Sequence, residues 1–148
     1  MNTCFLVAAL IAVLVGIIHS LLGEWMILRK LRTAGLIPNH PAPPLQSRNV
    51  RIHWATWHLA SVFGFGFAAL LFLLARGDLA PHPSVINALV LVFAVGAGLV
   101  LVATRGRHPG WIGLLAVAVL AHWGRSTRDL LSGNRAERRH EESRPKTR

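Results

Sequence analysis

Four histidines and one carboxylate stand at the ends of long apolar runs: His19, Glu24, His53, His58 and His108. Imidazole is the commonest metal ligand and the side chain that titrates nearest neutral pH. His19, His58 and His108 offer three nitrogens and Glu24 an oxygen, a donor set suited to zinc, copper or iron. His19 and His58, one on each of two helices, also suit a haem iron held by paired imidazoles. The same groups could instead pass protons or guide a small solute. No HExxH motif is present. His53 and His58 are five apart, about 140° around a helix, so they do not share a face.

Each of these residues has a plainer role beside it. His19 and His58 could hydrogen-bond a neighbouring helix as packing glue. His53 and His108 lie near headgroup level, where a solvated histidine is the default. Glu24 has Arg and Lys at hand for an ion pair. Trp25, Trp54, Trp57, Trp111 and Trp123 sit near run ends and read as an interfacial belt, with Trp57 beside His58 able to line a pocket. Ser20 adjoins His19 and Ser61 lies near His58, but Glu24 is the sole carboxylate within triad reach, which leaves nucleophilic catalysis little support. No glycine-rich phosphate loop occurs, and "GFG" lies inside an apolar run.

The elements that must position these groups are the apolar runs at 4–23, 54–75, 85–103 and 109–123. The chain is 53% hydrophobic and 15% charged, with most charge outside the runs, so lipid rather than water is the expected solvent for its surface. The first three runs are long enough to cross roughly 30 Å of hydrocarbon, while the fourth is marginal unless it continues past Trp123 or the bilayer thins. The expected fold is an all-α, four-helix transmembrane bundle with up-and-down connectivity, its segments at about 4–28, 51–75, 84–104 and 109–130. The first helix could continue to Arg32. The segment "LIPNHPAPPLQSRN" reads as an extended loop, and "TRGRHP" as a tight turn in which His108 caps the fourth helix and Pro109 opens it. Residues 1–132 form the membrane domain, and 133–148 form a basic tail expected to be disordered or to lie on headgroups.

Crossing in turn, the runs bring the end of the first, the start of the second, the end of the third and the start of the fourth to one membrane face. That face holds all the candidate ligands. His19 shares a helical stripe with Ala8, Ala12, Gly16 and Gly23, and small residues at such spacing let membrane helices approach closely. In the second run Trp54, Trp57, His58, Ser61, Gly64 and Ala68 occupy one side, with His53 and Ala60 at its edge. Leu59, Val62, Phe63, Phe67 and Leu70 occupy the other. Gly96 and Gly98 mark close packing in the third run, and Asn87 and His122 belong to the opposite face as structural groups.

The net charge is +10. It flanks the apolar runs, where anionic lipid headgroups attract it, so nucleic acid is excluded as a partner. The expected partners are the bilayer, its headgroups and a membrane protein or further copies of the chain. Arg29, Lys30, Arg32, Arg48, Arg51, Arg105 and Arg107 crowd the histidine face. The positive-inside rule puts that face in the cytoplasm and the protein in the inner membrane, as a multi-pass protein. A basic C-terminal tail on the other face opposes this, unless the fourth segment fails to cross. Cys4 is the one cysteine, which precludes an intrachain disulfide. The first run has no basic n-region or A-x-A-like site and reads as a retained span.

Three segments, "HSLLGE" (His19–Glu24), "WHLAS" (Trp57–Ser61) and "RGRHPGW" (Arg105–Trp111), resemble those of a group of small uncharacterised bacterial integral membrane proteins. The resemblance implies a four-helix membrane fold and brings no activity, cofactor or catalytic residue with it.

Overall fold

The computed structural model describes residues 1–33 and 35–142. The chain folds as four α-helices, α1 (Thr3–Met26), α2 (Ser47–Arg76), α3 (Pro83–Ala103) and α4 (Gly110–Glu142). Three of them, α1, α2 and α3, are long and apolar enough to cross a membrane. Leu10, Leu14, Leu21, Val62, Phe63, Leu91 and Leu99 point outward from these helices and are exposed. An apolar surface of that extent needs a lipid solvent, and the chain is a helical membrane protein.

Helix ends follow local chemistry. Asn2 caps α1, its Oδ1 accepting from the amides of Cys4 and Phe5 at 3.1 and 3.3 Å. Gly77, at φ 84°, closes α2, because only glycine takes that left-handed position without strain. α3 and α4 open alike: the Nδ1 of His82 accepts from the Ser84 amide, and that of His108 from the Gly110 amide at 3.0 Å. A proline follows each histidine and supplies a pre-set φ and no surplus donor. The expected capping role of His108 is therefore realised.

The connectivity is up-and-down. Asn2 N donates to Ala75 O at 2.7 Å, which sets the start of α1 against the end of α2. Asn2 Nδ2 donates to Gly124 O at 2.8 Å, so α4 also runs antiparallel to α1. At the other end a Cβ on Gly113 would meet Val15 of α1 at 2.6 Å, so α4 lies alongside α1 from Gly113 to Gly124. Arg125 Nη1 donates to Asn87 Oδ1, and Arg128 Nη2 donates to Leu79 O at 3.1 Å, pairing α4 with α3. The helices thus stand in the order α2, α1, α4, α3, and Phe67 on α2 meets Phe93 on α3 with ring centroids 6.0 Å apart. The core is small and apolar, built on Phe5, Ala8, Ala12, Leu71, Val117 and Ala121.

Several boundaries differ from expectation. α1 stops at Met26 and is followed by a 3₁₀ turn, Leu28–Leu31, rather than continuing as α-helix. The β-branched Ile27 leaves helical geometry there, and buried Leu28 anchors the turn. α2 begins one turn early, at Ser47. α4 continues to Glu142, so the tail expected to be disordered from 133 is helical that far. Ala, Arg and Glu dominate "RAERRHEE", and their helix propensity outweighs the missing apolar face. Residues 143–148 lie outside the described residues. Gly96 packs under Leu114, but nothing lies within 4 Å of a Cβ on Gly98 or Gly64, so those two glycines do not mark tight contacts.

Candidate functional site

The histidine end is built at the seam between α1 and α2. Gly23 leaves room for the Trp57 indole, which occupies the space a Cβ there would need. The indole Nε1 donates to His19 O at 3.1 Å, and its ring stacks on the His19 imidazole at 4.4 Å and 8°. Gly16 likewise admits the Phe65 ring one helical repeat below. The small-residue stripe of α1 therefore receives aromatic rings from α2, and the close approach fixes the relative rotation of the two helices.

That rotation brings His58 of α2 onto α1. Its Nδ1 is 2.7 Å from Ser20 Oγ, and its Nε2 is 3.5 Å from Glu24 Oε2. The second distance is long for a hydrogen bond and is an electrostatic contact. Glu24 Oε1 is paired in turn with Arg32 Nη2, which the turn after α1 carries back over the helix end. The Trp54 ring stands edge-on to His58 at 5.1 Å. Ser20, His58, Glu24 and Arg32 thus form one connected polar row.

The row lies on a particular flank. Ser20 and Glu24 are about 100° and about 140° around α1 from His19, while Val15, which meets α4, is about 40° the other way. On α2, His58 is about 100° from Trp57, and Phe67, which meets α3, is about 80° the other way. The polar row therefore faces away from α3 and α4, toward what surrounds the bundle. The His58 and Glu24 side chains keep 30% and 28% of their surface exposed. Pro38 and Val50 are fully buried, which ties the proline-rich loop down at this end.

Of the expected site residues, the structure joins His58 and Glu24 directly. His19 is their neighbour but belongs to the Trp57 stack, and its Nε2 is buried without a hydrogen-bond partner. His108 is within electrostatic reach of His19, yet its Nδ1 is spent on capping α4. His53 is exposed beside Trp57. Among the described residues no group of three or more His, Cys, Asp or Glu side chains is disposed to hold a metal ion, so the expected set of His19, Glu24, His58 and His108 is not gathered on one point. Two participants escaped sequence reasoning in their actual roles: Ser20, the partner of His58, and Arg32, the partner of Glu24. Trp57 is likewise a packing and donor residue more than a member of an interfacial belt. The signal for all three was their spacing along the seam, since Ser20–His58 and His19–Trp57 share one separation in sequence. The chain matches no protein-family model, no curated protein and no solved structure.

Proposed function

We propose that this is a multi-pass protein of the inner membrane whose histidine end performs acid–base chemistry at one membrane face, with His58 as the proton-transfer group. One observation carries the proposal: the two ring nitrogens of His58 have partners of different kind, a hydroxyl at 2.7 Å and a carboxylate at 3.5 Å. Such a ring can take a proton at one nitrogen and release one from the other. The Glu24 carboxylate favours ring hydrogen on Nε2, leaving the Nδ1 lone pair to accept from Ser20.

Two other roles draw less support. A proton path through the whole bundle would need polar groups along its length, and the buried core toward the other end is apolar. Metal or haem binding through His19 and His58 would require His58 to give up Ser20 or Glu24 and His19 to leave its stack on Trp57. The basic residues around the site favour a cytoplasmic position for this end.

The test is nitrogen NMR of protein in bicelles, labelled with ¹⁵N at histidine. Ser20→Ala is expected to move the His58 Nδ1 resonance, and Glu24→Gln the Nε2 resonance. If neither substitution moves its nitrogen, His58 is not the centre of a relay.

A further inference from the structure

Resting on that proposal, we infer that Ser20 is a nucleophile activated by His58 and directed at the acyl ester of an anionic membrane lipid. The hydroxyl, imidazole and carboxylate of Ser20, His58 and Glu24 reproduce the order of a serine charge-relay system, with the two ring nitrogens exchanged in role. A hydroxyl 2.7 Å from an imidazole nitrogen is at the distance from which general-base activation operates. Glu24, held by Arg32, is a positioning residue that keeps the ring in the tautomer able to accept from Ser20.

The surroundings define the substrate class. The row lies on the flank of the α1–α2 seam that is turned away from the bundle, so an acyl chain in the bilayer reaches it sideways. Ile17, Leu21 and Trp25 beside it on α1 are exposed and apolar. Arg29, Lys30, Arg48, Arg51, Arg105 and Arg107 are all exposed at the same end, suited to an anionic headgroup. Trp54 Nε1 is buried, lacks a hydrogen-bond partner, and belongs to the ring set edge-on to His58. It is the spare donor at this end that an oxyanion could use.

The step balances without a redox partner. The Ser20 Oγ–H proton passes to His58 Nδ1 as Oγ bonds to the ester carbonyl carbon. The ester C–O bond then breaks, and the departing alkoxide takes the proton from His58. Water, activated by the same nitrogen, hydrolyses the acyl-serine and restores the hydroxyl.

The test uses the full chain in detergent and a fluorophosphonate probe, with the labelled serine located by peptide mass spectrometry. Labelling is expected at Ser20 in native protein and absent after denaturation. His58→Gln is expected to slow it at least tenfold. Label at other serines only, or equal labelling of native and denatured protein, overturns the nucleophile. In a second arm the protein is reconstituted in phosphatidylglycerol or phosphatidylcholine vesicles and free fatty acid is measured. Faster release from phosphatidylglycerol, lost in Ser20→Ala, supports the substrate class. No release, or equal release from both, overturns it. NMR shifts at His58 with no label on Ser20 would sink the nucleophile while leaving the proton-transfer role standing.

Discussion

Gly23→Ala tests whether the α1–α2 seam is as tight as the structure makes it. The added methyl would occupy the position of the Trp57 indole, a ring held by the helix on which it sits and by its stack on His19. The indole must then swing out, losing its hydrogen bond to His19 O, about 1 kcal/mol. It also loses an aromatic stack of about 0.5–1.5 kcal/mol. Strain in the repacked seam adds roughly 1–3 kcal/mol. Alanine returns about 1 kcal/mol of helix propensity relative to glycine. The net expectation is a loss of about 2–4 kcal/mol, dominated by the overpacking term. Gly64→Ala is the matched control. Nothing lies within 4 Å of a Cβ there, so the propensity term acts alone and stability is unchanged or rises by up to about 1 kcal/mol. Both are read from SDS titration of the protein in mixed micelles, following helicity by circular dichroism. Equal stabilities of the two variants would refute the inference that Gly23 exists to admit Trp57.

Three further outcomes follow from other contacts. Asn2→Ala removes the cap of α1 and the bond to Gly124 O at once, and is expected to cost about 1–2 kcal/mol in the same titration. Gly113→Ala sets a methyl 2.6 Å from Val15 Cγ2 and should destabilise by about 1–3 kcal/mol, with Val15→Ala recovering at least about 0.5 kcal/mol in a double-mutant cycle. With Cys4→Ser as background, a cysteine in place of Arg107 is expected to react with an impermeant maleimide from the cytoplasmic side and one in place of Asp78 from the opposite side; the reverse pattern would invert the orientation.

The fold was legible because its packing face is written in small residues. Ala8, Ala12, Gly16 and Gly23 recur at helical spacing, and all four are buried. In α2 the stripe through Trp57, Ser61 and Ala68 turns inward, while Leu59, Val62 and Phe63 stay exposed. Periodicity determines which side of a helix is inside, and that is what these positions encode. The end of α4 was misjudged for the converse reason. A charged segment without an apolar stripe resembles a disordered tail, yet its residues favour helix and it extends an existing one, so no new nucleus is required.

The site was half legible, and the missing half is geometric. Stripe reasoning ranks residues by how centrally they face the neighbouring helix, so it selected His19 and His58 and set Ser20 and Glu24 aside. In the folded chain the central position at this level belongs to the Trp57 ring and to Gly23, which gives it space. A large ring in the middle of a seam pushes polar contacts to the flank, where side chains about 100° from the packing direction on both helices reach each other. His58 therefore finds Ser20 and Glu24 rather than His19. The residue that sets this choice is Gly23: with a larger residue there the indole could not seat, the helices would rotate, and His19 and His58 would compete for the same space. Polar groups on the flank of a membrane bundle meet lipid from the side, whereas groups at its centre meet only other helices. That difference in access, more than the identity of the side chains, is why chemistry on a bilayer component fits this arrangement better than passage through the bundle.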